Sequence, residues 1–313
     1  MENWTTSSEV LILEALRVTP QSSLPAFILL LFSYIFIMVA NVGVLALIVC
    51  SSSLHQPMYL LLCNMTVNDA FGATITLPHV LKDLLLSGSE RYIHYWACAA
   101  QAFCVHLHAS VSHTVLVIMA VDRYVAICIP LRYAAVMTRR TVATLSWAAW
   151  GSALVLVGIL VGLSVRLSRC RRTVLNVFCD NASLFSLSCE SVLVNNVYGL
   201  VYTVLLLGSS MVSVALTYLK IVAVCLRSRS KALNGKALQT CTTHLAVYLM
   251  LLVSGFIIVV MHRFPQLSDH RKVAAVLGHV ALPALNILIY GLQIREVRQK
   301  VFAAFDKTCF PSA

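Results

Sequence analysis

The chain has 313 residues, of which 59% are hydrophobic and only 11% are charged. A soluble domain carries roughly a quarter charged residues, so this composition, with a mean hydropathy of +0.86, excludes a water-soluble globular protein. The net charge of +11 would suit nucleic acid, but basic loops in a membrane protein serve topology and lipid headgroups, and no nucleic-acid partner is expected.

The apolar residues fall into seven blocks, at about 24–50, 57–81, 97–123, 142–165, 194–226, 237–262 and 273–292. Each has the roughly 20 residues needed to span a bilayer core. Barrel strands are about 10 residues of alternating polarity, a pattern these blocks lack. The expectation is an all-α membrane protein, a seven-helix transmembrane bundle over 24–292. A polar tail, 1–23, precedes it, and a short amphipathic helix and tail, 293–313, follow it. The first 23 residues have no basic n-region, so the first helix is expected to act as its own insertion signal. Lys and Arg are slightly more numerous on the side of Arg123, the positive-inside direction. Glycosylation sequons at Asn3 and Asn181 share the opposite side, which is then predicted to face outside. That places the amino terminus outside the plasma membrane and the carboxyl terminus in the cytoplasm. A third sequon, at Asn64, lies inside helix two and reads as chance.

In chain order, Pro57 suits the start of helix two, where its missing N–H costs nothing. Asp69 then sits deep in that helix, where a carboxylate must face the bundle interior or a cavity. A hydrogen-bonded structural Asp and a cation or proton site both fit, with Ser112 and Asn286 as companion oxygens. Helix three shows the clearest face: Cys98, Ala102, Val105/His106, Ala109/Ser110, Ser112/His113, Leu116, Met119 and Arg123 recur at spacings of three and four. His106, Ser110 and His113 follow at i, i+4 and i+7 and point to one cavity in the outer half; packing histidines are the alternative. His108 lies off this face and is given no role. No His pair at i, i+4 and no adjacent acid suggest a metal site. Cys170, Cys179 and Cys189 in the long fourth-to-fifth connection join Cys98 on the outer face, and four cysteines allow three pairings. Arg166, Arg169, Arg171 and Arg172 of the same loop are either solvated charge or a cationic vestibule for anions. Asp122-Arg123-Tyr124 closes helix three with a charge pair that a membrane interface tolerates only if it is paired or serves a partner. Beyond Gly291, Ile294, Val297, Val301, Phe302 and Phe305 share one face opposite Arg295, Arg298 and Lys300, as in an interfacial helix. Cys309 follows as either a palmitoyl site or a free thiol.

Five stretches, in order, carry a resemblance. They are Leu54-His55-Gln56-Pro57-Met58-Tyr59, Met119-Ala120-Val121-Asp122-Arg123-Tyr124-Val125-Ala126-Ile127-Cys128, Pro130-Leu131-Arg132-Tyr133 with Met137-Thr138, Lys236-Ala237-Leu238-Gln239-Thr240-Cys241-Thr242-Thr243-His244-Leu245, and Pro283-Ala284-Leu285-Asn286-Ile287-Leu288-Ile289-Tyr290. Together they resemble the vertebrate odorant receptors, a branch of the rhodopsin-like G-protein-coupled receptors. His262-Arg263-Phe264 at the outer end of helix six is similar to the fish-like, class I branch, whose ligands are water-soluble. The resemblance implies disulfides Cys98–Cys179 and Cys170–Cys189, and a sodium pocket at Asp69, Ser112 and Asn286; no other cofactor is expected. It implies a ligand site at His106, Ala109, Ser110, His113, Val259 and Arg263, with Arg263 as a clamp for a ligand carboxylate. Snorkelling, or pairing with Asp180, Glu190 or Asp269, is the other use for that guanidinium. It further implies a switch of Asp122, Arg123, Tyr124, Tyr218, His244 and Tyr290 facing a stimulatory, olfactory-type G protein that raises cyclic AMP.

Two departures stand out. Leu251-Leu252-Val253 replaces the usual aromatic stretch of helix six, with Gly255 slightly displaced. Ile287 stands where a proline is usual, leaving Pro283 to bend helix seven. A non-olfactory receptor for another small ligand shares the fold and is the alternative; Val105 sits where an amine receptor would want an acid. A transporter should show an internal repeat with broken helices, and an enzyme a nucleophile–base constellation, and neither is visible.

Overall fold

The computed structural model describes residues 9–85, 91–227, 231–293 and 298–299. Seven long helices carry the fold: α1 (Pro20–Cys50), α2 (Pro57–Leu85), α3 (Tyr95–Cys128), α4 (Arg139–Val165), α5 (Leu193–Arg227), α6 (Lys231–Met261) and α7 (Ser268–Gln293). All seven are long and apolar enough to cross a membrane. They run from 26 residues in α7 to 35 in α5, roughly 39 to 52 Å at 1.5 Å per residue. That exceeds a hydrocarbon core of about 30 Å, so their ends stand clear of it. Asn3, Cys309 and most of the amphipathic segment expected over 293–313 lie outside the described residues.

The motifs explain the helix ends. Leu54 is fully buried below the α1–α2 turn, and the His55 ring bonds the Val49 carbonyl at 3.1 Å, capping the end of α1. The hydroxyl of Thr138 accepts the Thr141 N–H at 3.1 Å and so caps α4. Asn64, read as a chance sequon, clasps α2 to α4: it accepts from the Trp150 indole at 3.2 Å and donates to Ser146 at 3.0 Å. Helix two runs past its expected end to Leu85, carrying a second buried acid, Asp83, into the bundle. Ile287 is buried in the same core cluster as Leu116 and Tyr290, and α7 stays continuous through Pro283.

Helix three is the central column. It packs on α2, α4, α5 and α6, and 61% of its most apolar window is buried against 17% in α5. The outward rows, such as Leu29, Phe32, Val155 and Leu205, stay exposed, as suits side chains that lipid would cover.

One element of the polar tail departs from an all-helical expectation. Strand β1 (Val10–Leu13) lies between β2 (Tyr92–His94) and β3 (Thr173–Val174), antiparallel to β2 and parallel to β3. Its residues alternate, with Leu11 and Leu13 buried and Val10 and Ile12 exposed, the period of a one-sided strand. Four residues are too few for that period to stand out in sequence.

Candidate functional site

A cavity of about 490 Å³ opens at the end of the bundle that carries Cys98, within the usual range for small-molecule sites. Its walls come from α3, α5, α6 and α7, and its roof from the long loop between α4 and α5. Disulfides hold the roof. Cys98–Cys179 ties the loop to α3, and Cys170–Cys189 closes the loop on itself, the pairing implied by the resemblance. Gln101 of α3 adds a third tie by accepting the Cys179 N–H at 2.8 Å.

Five of the six expected ligand residues line this cavity: His106, Ala109, His113, Val259 and Arg263. The sixth, Ser110, is buried beside it; its hydroxyl pairs with Tyr202 and donates to the His106 carbonyl at 2.8 Å. His106 Nε2 accepts the Asn181 backbone N–H at 3.2 Å, binding α3 to the roof. His113 bonds Ser210, which bonds Tyr248, a chain linking α3, α5 and α6. Leu251, of the stretch that replaces the usual aromatic residues, and Gly255 both line the cavity from α6.

The charges at the mouth are mostly committed. Asp180 accepts from His262 at 3.1 Å, from Asn176 at 3.1 Å and from the Ser183 N–H at 2.7 Å. Burial raises its pKa, but the charge and hydrogen bond of His262 and the bonds from Ser183 outweigh it and hold the carboxyl well below the usual range. Asp269 pairs with Arg17 and Lys272, and Glu190 accepts from Ser168. All three acids weighed as partners for Arg263 are therefore held elsewhere, and the guanidinium stands exposed on the cavity rim. Asn181 is 5% exposed, and its side-chain oxygen accepts from Ser164 at 2.7 Å. In this arrangement the Asn181 side chain is turned into the bundle and not toward solvent.

His108, off the inward face of α3 and without an expected role, is buried at a packed contact. Its ring lies on α2, where Nδ1 meets the Asn68 carbonyl at 2.9 Å, and it faces His279 of α7 across 5.9 Å between ring centres. Gly72 makes this possible, since a Cβ there would come within 2.5 Å of the ring. Both histidines line the cavity.

Deeper, Asn286 donates to Asp69 at 3.0 Å, while Ser112 is taken up by Asn68 at 2.8 Å and the His108 carbonyl at 2.9 Å. The side-chain oxygens of Asn286 and Asn68 are buried with no hydrogen bond among the described residues. The Asn286 oxygen and the Asp69 carboxylate are oxygen ligands of the hard type, the donor chemistry that an alkali or alkaline-earth cation takes.

At the opposite end, Asp122 is 1% exposed. It accepts from Arg123 Nε at 3.0 Å and from the Tyr133 hydroxyl at 2.9 Å. Tyr133 lay within a recognised motif but had no assigned role. Tyr218 bonds His244 at 2.7 Å, joining α5 to α6. The Tyr290 hydroxyl is buried without a hydrogen bond among the described residues, and Tyr124 carries Lys220 over its ring at 5.7 Å.

Comparison with known proteins bears on both ends. The family profile described as "Olfactory receptor" matches residues 30–307. Olfactory receptor 51E2 of Homo sapiens is 34% identical over 284 residues, covering 90% of this chain and 88% of its own. Olfactory receptor 52N1 of Homo sapiens is 32% identical over 88% of this chain and 86% of its own. Olfactory receptor-like protein COR5 of Gallus gallus is 33% identical over 94% of each.

Proposed function

The chain belongs to the olfactory receptor family, odorant-sensing G-protein-coupled receptors rather than enzymes, and we propose that it signals a small carboxylate-bearing odorant through a stimulatory, olfactory-type G protein. One observation carries this reading. A largely apolar cavity with a guanidinium at its rim, Arg263, that has no ion pair among the described residues is joined by α3 and α6 to the Asp122–Arg123 pair at the far end. The ligand enters beneath the disulfide-tied loop, so that end faces outside and the Arg123 end faces the cytoplasm. The ligand body meets Ala109, Val259 and Leu251, while its carboxylate takes the Arg263 fork in bidentate fashion, with His106 nearby.

A ligand shifts the receptor only by its differential affinity for two arrangements. In the arrangement described, Asp122 holds Arg123, and Tyr218 holds His244. In the signalling arrangement α6 swings away, Arg123 meets the G protein, and Tyr218 and Tyr290 turn toward it. The unpartnered Tyr290 hydroxyl supports this, because a buried donor without an acceptor favours a second state that supplies one. Sodium held by Asp69, Ser112 and Asn286 would add a positive charge that favours the first arrangement.

The test is cyclic AMP in transfected cells challenged with short carboxylic acids and their alcohol and methyl ester counterparts. The acids should signal, and Arg263→Ala should weaken them at least tenfold with surface expression intact. An unchanged dose–response would make Arg263 an anchor only, and cellular uptake of ligand without signalling would sink the receptor reading.

A further inference from the structure

The wall formed by α2, α3 and α7 has a polar feature that acid binding at Arg263 leaves unused. From it we propose that the occupant of the cavity carries a hydroxyl group whose single hydrogen is shared, as a three-centre hydrogen bond, between the paired imidazoles of His108 and His279. This assignment rests on the ligand-binding reading above and names the chemistry of the other end of the ligand.

The Nδ1 atom of His108 lies 2.9 Å from the Asn68 carbonyl, and that of His279 lies 2.8 Å from the Ala275 carbonyl. A backbone carbonyl only accepts, so each Nδ1 carries a hydrogen, and a neutral ring is left with Nε2 as an acceptor. Among the described residues the side-chain hydrogen bonds of both rings are those at Nδ1, and no protein group is bonded to either Nε2. Two acceptors on facing rings, 5.9 Å apart and tilted by 35°, thus border one cavity. The arrangement is built rather than incidental. Gly72 leaves the space that the His108 ring fills, and Phe178 of the roof packs edge-on against His279 at 5.1 Å.

This pair selects against a carboxylate or ketone at its own position, because two lone pairs facing a third acceptor leave all of them unpaired. It calls for a donor. An ammonium is disfavoured because Arg263 and Arg271 border the same cavity, while Asp180, the carboxylate there, is occupied by His262, Asn176 and Ser183. A neutral hydroxyl remains, oriented away from an acid group at the rim.

The test compares 8-hydroxyoctanoic acid with nonanoic acid, which differ by hydroxyl against methyl at equal length. Affinity is read from ligand-dependent melting of the purified full-length receptor, a measurement independent of G-protein coupling. The hydroxy acid should bind about tenfold more tightly than nonanoic acid. In His279→Phe, which keeps a ring and loses the acceptor, the preference should vanish or invert. Equal or tighter binding of nonanoic acid to the wild type overturns the assignment, as does a preference that survives in His279→Phe. The wild-type comparison decides alone if the variant fails to fold. Absence of stabilisation by both compounds also overturns it, whereas the receptor reading itself stands or falls on the cyclic AMP panel.

Discussion

At the scale of single residues, Gly72 and Tyr133 do work that their sequence context does not announce. Gly72→Ala places a methyl carbon within 2.6 Å of the His108 ring, so the ring must leave its place on α2. Overpacking of this kind costs about 1–3 kcal/mol. The melting temperature of the purified receptor should fall, and adding His108→Ala, which removes the obstructing ring, should recover much of the loss; an additive double variant would show that the clash is not the cause. Tyr133 donates to Asp122, and burial together with the Asp122 charge raises its pKa above the ordinary phenol value, so the donor is retained. Tyr133→Phe removes a hydrogen bond to a charged group, worth about 1.5–3 kcal/mol. It should loosen the Asp122–Arg123 pair and raise ligand-free cyclic AMP several-fold; unchanged basal signal at equal surface expression counts against a restraining role. The residues legible in sequence were those whose chemistry is anomalous in a membrane, Asp69 and Arg123, while Arg263 was marked only by the resemblance of its motif. His108 was not legible, because α3 is buried on nearly every side, so one helical face marks only part of what the bundle encloses.

At the scale of elements, the seven helices could be read almost whole, since each apolar run had to be long enough for a bilayer. The loops could not. The strand Val10–Leu13 and the short helix Asn181–Phe185 depend on partners distant in sequence, and the sequon at Asn181 does not say whether its side chain is buried. The roof offers a prediction with a sign. Asp180 caps that short helix and holds His262, with its pKa depressed below the ordinary aspartate value of about 3.9. A depressed carboxyl stabilises the folded loop fully above that value and loses its contribution only as pH falls through the lower, folded pKa. Between pH 7.4 and 5.5 it therefore stays ionised. Asp180→Ala should lower the melting temperature at both pH values, by no less at 5.5 than at 7.4; a smaller effect at 5.5 would mean that the carboxyl has already been protonated there.

At the scale of the whole molecule, what matters is that the cavity and the charge pair are joined by the same two helices. His113–Ser210–Tyr248 links α3, α5 and α6 near the cavity floor, and Tyr218–His244 links α5 and α6 again at the Arg123 end. Both links are single hydrogen bonds between side chains of neighbouring helices, the kind of contact that a shift of one helix against another exchanges. If ligand and G protein favour the same rearranged state, their coupling must be reciprocal, because the free energy linking two sites is one quantity. A typical coupling of about 1–3 kcal/mol corresponds to roughly 5–150-fold in affinity. Nucleotide-free stimulatory G protein added to the purified receptor should therefore tighten acid binding by a factor in that range. Arg123→Ala, which removes the group proposed to meet the G protein, should abolish the shift. Tightening that persists without Arg123 would place the coupling elsewhere on that end of the bundle, and no tightening in the wild type would mean that the cavity and the charge pair belong to independent equilibria.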